Sequence, residues 1–221
     1  MISVAIDGPA GSGKSTISRK VSAMLGFIYI DTGALYRSIA YALNCDGIKT
    51  DEIEKVKEKL EKTDINIVFI DGEQHVTVNG EDVSSLIRTP EISMLASAFS
   101  AIPEVRAYLL GLQRRMAEEN NVIMDGRDIG TVVLPNATVK IFLTADPEDR
   151  ARRRYEEMLE KGQKADYNEV LEDIKTRDYN DSHRAVAPLK PAENSIVVNT
   201  TGNTLEQSVE LLSNIIKENI K

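Results

Sequence analysis

Residues 2–16 read Ile2-Ser3-Val4-Ala5-Ile6-Asp7, then Gly8-Pro9-Ala10-Gly11-Ser12-Gly13-Lys14-Ser15, then Thr16. The first six are a mainly apolar, β-rich run of the length of a buried strand. The next eight fit the spacing G-x-x-x-x-G-K-[ST]. Behind them Ile17, Val21, Met24 and Leu25 recur at helical spacing as far as Gly26, which reads as a helix terminator. Strand, glycine-rich turn and amphipathic helix in this order make a phosphate cradle. The glycines let the backbone bend so that successive N–H groups point at phosphate oxygens. Lys14 brings positive charge to the β- and γ-phosphates, Ser15 offers a hydroxyl to Mg²⁺, and the helix adds its positive end. A chance match in a chain of this length is on the order of one in a hundred, and the flanking strand and helix are the context the motif requires.

Four further segments read as buried strands: Phe27–Asp31, Asn121–Asp125, Val139–Thr144 and Ser195–Asn199. Helical patterns separate them, which predicts an α/β fold with a five-stranded parallel sheet flanked by helices. A last helix from about Leu205, with Val209, Leu211, Leu212, Ile215 and Ile216, is expected to pack on that sheet. Residues 65–79 break the alternation. Ile65–Ile70 and His75–Val78 are β-like runs, followed by the turn dipeptides Asp71-Gly72 and Asn79-Gly80 respectively, and predict a small antiparallel insert. The reading is one domain over 1–221, with a core of 1–55 and 98–221, an insert at about 56–97 and a short mobile arm near 148–165.

The 221 residues are 42% hydrophobic and 28% charged, ordinary values for a soluble globular protein. No apolar run approaches the roughly 18 residues needed to span a bilayer, and the N-terminus has no basic region of the kind that opens a signal peptide. Cys45 is the only cysteine, so no disulfide forms within the chain and a cytoplasmic setting is expected. A net charge of −8 argues against binding long nucleic acid. Residues 51–63 alternate acid and Lys and read as a solvated helix face. Four of the five positions from Arg150 to Arg154 are Arg, just after Asp146-Pro147, and predict a helical lid over nucleotide phosphates. His75 and His183 have no ligand spacing, and Cys45 reads as a small buried or helix-surface residue rather than a nucleophile.

A P-loop alone does not separate kinase, GTPase, motor and nucleotide sensor, but the guanine signature Asn-Lys-x-Asp is absent. Three more motifs narrow the choice. Asp31-Thr32-Gly33-Ala34-Leu35-Tyr36-Arg37 follows the second strand, with Thr32 placed to cap the next helix. Asp125-Gly126-Arg127-Asp128-Ile129-Gly130-Thr131 ends the third. Arg177, Asp181 and Arg184 fall at i, i+4 and i+7 and would share one helix face.

Together, GPAGSGKST, DTGALYR, DGRDIGTVV and RDYNDSHRAVAPL resemble the bacterial cytidylate kinases over nearly the whole chain and in the same order. The resemblance implies a P-loop core with a monophosphate-binding insert and an arginine-bearing lid, and transfer of the γ-phosphoryl of ATP to CMP, with dCMP also accepted. It implies that Arg37, Arg127 and Arg184 surround the CMP phosphate or the travelling phosphoryl. Thr32 stands where the family commonly has Ser. By the same resemblance Ser97, Arg106 and Asp128 read cytosine, Arg177 and Asp181 serve the sugar-phosphate side, Tyr36 belongs to the CMP site, and Arg150 and Arg154 close on ATP. The partners are ATP, CMP and dCMP, with no membrane and a monomeric chain. Magnesium arrives with the nucleotide. Asp7, Asp31 and Asp125 are equal candidates for orienting its waters. Alternatives are a kinase of the same core for UMP, AMP or a non-nucleotide acceptor, and a nucleotide sensor without turnover.

Overall fold

Apolar runs flanked by helical repeats build the sheet. The computed structural model describes residues 1–70, 72–160 and 162–220. Asp71 of the Asp71-Gly72 turn and Lys161 of the predicted arm lie outside them. In chain order the elements are β1 (Ser3–Asp7), α1 (Lys14–Leu25), β2 (Ile28–Asp31), α2 (Thr32–Cys45), α3 (Ile53–Glu61), β3 (Ile65–Ile70), β4 (Glu73–Val78), β5 (Glu81–Asp82), α4 (Pro90–Phe99), α5 (Pro103–Glu119), β6 (Val122–Gly126), a π-helical turn (Ile129–Val133), β7 (Val139–Thr144), α6 (Pro147–Glu160), α7 (Tyr167–His183), β8 (Ile196–Asn199) and α8 (Leu205–Asn219). The five strands predicted from the sequence are all present, within a residue of the predicted ends. They form one sheet in the order β2-β6-β1-β7-β8. β1 lies parallel to both β6 and β7, with Asp7 level with Gly126 and Phe142, so the loops that follow these strands leave from one edge of the sheet. That edge, at the carboxyl ends of the strands, is where open α/β sheets bind ligands.

The chain divides into two compact units, Met1–Tyr29 with Ala117–Lys221, and Ile30–Met116. In the first, Val4, Ile6, Ile123, Ile141 and Leu143 of the sheet pack with Ile17 and Val21 of α1 and with Val209, Leu212 and Ile216 of α8. Met24 and Leu211, expected on those inner faces, are exposed. Each lies off its helix's buried arc, so a wide apolar repeat overstates the face that a sheet can cover. In the second unit, Leu35, Ile39 and Leu43 of α2 meet Val56, Leu60, Phe99 and Leu109 and the inner side of the antiparallel sheet β3-β4-β5. Val56 and Leu60 bury one side of segment 51–63, and its charged residues form a solvated face on the other.

Two local expectations are corrected. Asp31, not Thr32, caps α2: its carboxylate accepts the Ala34 N–H at 2.9 Å and Thr32 is the first helical residue. Aspartate reaches the orphan amide as well as threonine does and here also faces an arginine. Arg184 does not share a helix face with Arg177 and Asp181, because α7 stops at His183 and Arg184 is its C-cap with extended backbone (φ −64°, ψ 144°).

Candidate active site

At the end of β1 the chain must pass beside β7. A Cβ at Gly8 would lie 2.0 Å from the Leu143 carbonyl oxygen, so only glycine allows the passage. Gly13, at φ +84°, turns the loop into α1, whose start has no side-chain cap. The orphan amides of that first turn are therefore left to an anion. Lys14 is folded against its own loop, donating to the Pro9 carbonyl at 2.7 Å and the Ser12 hydroxyl at 3.1 Å. Burial holds the Lys14 ammonium well below its ordinary pKa. The charge of Arg127 adds to the depression, and Asp125, Asp7 and Asp178 oppose it. The Ser15 hydroxyl donates to Asp125 at 2.8 Å, and the other Asp125 oxygen accepts from the Tyr29 hydroxyl at 3.0 Å.

The three strand-end acids thereby separate. Asp125 is beside Ser15. Asp7 accepts two consecutive backbone N–H groups, Ile129 at 2.7 Å and Gly130 at 2.8 Å. Asp31 serves α2.

The loop after β6 and the end of α7 are joined by two ion pairs. Arg127 donates from Nε to Asp181 at 2.7 Å, and Arg184 lies 3.5 Å from Asp128, with both of these last side chains buried. Burial alone would raise the Asp181 carboxyl. The charge and hydrogen bond of Arg127, with Arg184 and Arg177, outweigh it and hold the carboxyl below its usual range. Burial likewise opposes the charge on Arg127, yet Asp181 and the neighbouring acids raise its pKa. Arg184 also donates to the Ala187 carbonyl at 2.8 Å. Arg177 is half-buried. The structure thus brings Arg127, Asp128, Asp181 and Arg184 together within one unit.

The arginines of α6 do not act alike. Arg152 and Arg153 pair with Asp149, and Arg153 also reaches the Thr200 carbonyl at 2.5 Å. Arg154 pairs with Glu157 at the surface. Arg150 is only 3% exposed and turns into the protein, donating to the carbonyls of Ala145 and Ala10.

In the second unit Arg37 pairs with Asp31 at 2.9 Å. Opposed by burial, the charges of Arg37 and Arg88 and the Ala34 amide keep the Asp31 carboxyl low. Gln74 of β4 grips the Asp31 backbone at both ends, accepting its N–H at 2.7 Å and donating to its carbonyl at 3.3 Å. Arg106 of α5 is buried, with its guanidinium 5.5 Å from the centre of the Tyr36 ring and 3.3 Å from the Ser100 carbonyl. Ser97, whose carbonyl accepts from the Ser100 hydroxyl, is half-buried nearby in sequence. Thr32 is buried.

The contacts of Asp7, Gln74, Asp125 and Asp178 were not legible in the sequence. The acids stand at strand ends or inside a motif, which marks them as candidates, but nothing in the spacing says which partner each takes. Gln74 carries no signal.

A sequence profile of the cytidylate kinase family matches residues 4–218. The chain is 51% identical over 209 residues to the cytidylate kinase of Caldicellulosiruptor saccharolyticus, covering 95% of this chain and 92% of that one. It is 51% identical over 220 residues to the cytidylate kinase of Caldanaerobacter subterraneus subsp. tengcongensis, covering 100% and 96%. Among solved structures, an uncharacterized protein from Eubacterium ventriosum superposes with a TM-score of 0.51 at 12% identity, covering 98% of this chain and 99% of that one, which is a likeness of fold alone. With the phosphate loop, the arginine–carboxylate pairs and these relatives all in agreement, the chain belongs to the cytidylate kinase family.

Proposed function

We propose that the chain transfers the γ-phosphoryl group of ATP to CMP, giving ADP and CDP, and accepts dCMP as well. The observation that carries this reading is the pairing of like charges. Lys14 is buried, and the half-buried Arg127 lies close enough for its charge to depress the pKa of Lys14. Two cations held this close at a partly dry site attract an anion between them, and a phosphoryl in transit between two phosphates is such an anion.

Lys14 and the loop from Gly8 to Thr16, through the backbone N–H groups of Gly11 to Thr16, hold the donor phosphates. Arg127 and Arg184, kept charged and oriented by Asp181 and Asp128, take the equatorial oxygens of the moving group. Arg177 supports the sugar-phosphate side with Asp181. In the second unit Thr32, Tyr36 and Arg37 serve the CMP phosphate and sugar, and Ser97 and Arg106, with Asp128, the base. The nucleophile is a phosphate oxygen already ionised near neutral pH, so no general base is needed. The Ser15 hydroxyl beside the Asp125 carboxylate is a hard-oxygen pair suited to a Mg²⁺ ion that keeps its waters. Bound with ATP, that ion would neutralise charge on the β- and γ-oxygens. Residues 148–165 act as the lid, Arg154 being its phosphate-facing arginine, and residues 56–97 as the acceptor insert. No described helix is long and apolar enough to cross a membrane. We place the enzyme in the cytoplasm as a monomer.

Coupled ADP release with CMP, dCMP, UMP, AMP or no acceptor tests the reading. CMP and dCMP are expected to drive release far above the others. Lys14→Ala is expected to lower kcat by roughly 10³-fold in a protein that still folds and binds CMP. No acceptor-dependent release would leave a nucleotide sensor, and release favouring UMP or AMP would move the acceptor.

A further inference from the structure

The Ala10 peptide, in the middle of the phosphate loop, is gripped on both sides. Its N–H donates to Asp178 Oδ1 at 2.9 Å, and its carbonyl accepts from Arg150 Nη1 at 2.6 Å. The two gripping groups are themselves an ion pair, with Arg150 Nη1 2.6 Å from Asp178 Oδ2. Arg150 is fixed a third time through Nε, which donates to the Ala145 carbonyl at 2.8 Å. The loop is close-packed here as well. A Cβ on Gly11 would meet the Ile174 side chain at 3.2 Å and the Arg150 side chain at 3.4 Å. One loop peptide, α6 and α7 thus meet through a closed ring of charge-assisted hydrogen bonds, buried on the Arg150 side.

We propose that Arg150 and Asp178 are donor-side positioning residues: together they clamp the Ala10 peptide and set the loop backbone that presents its amides to the ATP phosphates. In this role Arg150 acts through the loop and touches no phosphate itself. The chemistry favours it. Backbone amides bind phosphate only if their N–H vectors converge, and a loop rich in glycine cannot hold that convergence without outside contacts. An arginine with donors in a fixed fork and a carboxylate with two acceptors match the N–H and the carbonyl of one residue plus each other. A contact made to a backbone that holds the ground-state nucleotide predicts an effect on ATP affinity. A lid arginine that meets the phosphoryl only in transit predicts an effect on kcat. Asp178 adds a second consequence. Asp181, one turn further on the same helix, holds Arg127, so α7 steadies the loop with one carboxylate and the transfer arginine with the next.

The test is steady-state kinetics of Arg150→Ala, Arg150→Lys, Asp178→Asn and the Arg150→Ala/Asp178→Asn double variant, varying ATP and CMP separately, with ADP binding measured calorimetrically on each. The expected result is a rise of about tenfold in KM for ATP and in Kd for ADP in both Arg150→Ala and Asp178→Asn, with KM for CMP within twofold of wild type. Because both act on one peptide, the double variant is expected to be no worse than the weaker-binding single variant. Arg150→Lys, which keeps the charge but loses the fork, should fall between wild type and Arg150→Ala. A lowered kcat with unchanged KM for ATP would overturn the clamp and return Arg150 to the lid. Multiplying effects in the double variant, or equal rises in both KM values, would also overturn it. If Arg150→Ala does not fold, the near-isosteric Asp178→Asn decides alone: weaker ADP binding upholds the clamp and unchanged binding refutes it.

Discussion

In the proposed reading, base choice turns on Asp128. It is 3% exposed and faces Arg184 at 3.5 Å, so its carboxylate is paired and largely dry. A cytosine amino group would give it a hydrogen bond, whereas uracil would oppose it with a carbonyl oxygen. A site built for one polar partner can reject the analogue that lacks it by roughly 10⁴-fold. Asp128→Asn, whose amide both accepts and donates, is expected to cut kcat/KM for CMP sharply and to narrow the CMP:UMP ratio. Equal loss on both substrates would show that Asp128 serves Arg184 alone. Asp7 offers a different handle. Burial raises its pKa from the ordinary 3.8 to about 6, even though two backbone N–H groups favour its ionised form. Between these values the folded protein holds a proton that the unfolded chain has released. The contribution of Asp7 to stability is therefore full below about pH 4 and is lost as pH rises through 6, a change of up to about 3 kcal/mol. Urea unfolding of wild type and Asp7→Asn from pH 4 to 7 is expected to show a wild-type advantage that narrows as pH rises. A gap that widens would mean that the two N–H bonds outweigh burial.

Gln74 shows how an element far along the chain conditions a strand end. β4 holds the Asp31 peptide through the Gln74 amide, and Asp31 in turn caps α2 and pairs with Arg37. Replacing the amide with an isosteric apolar group leaves the Asp31 N–H and carbonyl without this partner, at a cost of about 1–3 kcal/mol. Gln74→Leu is expected to raise KM for CMP several-fold and to leave KM for ATP unchanged, read from the same coupled assay. A shift in KM for ATP instead would disconnect β4 from the acceptor residues. Other elements teach where periodicity stops informing. The strands and helices were legible because apolar spacing reports burial directly. The π-helical turn Ile129–Val133 was not, since its first two N–H groups go to the Asp7 carboxylate, 122 residues away from Ile129 in sequence. Arg184 left the predicted helix face for a comparable reason: its Nε takes the Ala187 carbonyl beyond the helix end.

Each compact unit has its own apolar core, and each carries some of the candidate groups. The metal-suited oxygens, Ser15 and Asp125, belong to the first unit, whereas Arg37 and Arg106 belong to the second. Acceptor recognition built on arginines needs no metal. In EDTA, phosphoryl transfer is expected to fall to background. CMP at a hundred times its Kd should still stabilise the fold by about 2.7 kcal/mol, read as an unchanged thermal shift. Loss of that shift with the metal would make the acceptor site metal-dependent.

Residues 8–16 and the four apolar runs that follow were enough to establish an α/β core and a phosphate loop, because glycine placement and apolar spacing act through local backbone freedom and burial. The polar clusters at the ends of β2 and β6 were legible for the same reason, because they stand where the chain leaves a buried sheet. Which charge meets which was decided only by tertiary structure. Arg150 and Arg154 are four residues apart on one helix, yet one is buried on the Ala10 peptide and the other pairs with Glu157 at the surface. Asp7, Asp31 and Asp125 end three strands alike, yet one takes two amides, one an arginine and one a serine hydroxyl. Pairing depends on distances of about 3 Å between groups more than a hundred residues apart in some cases, and no spacing along the chain carries that information.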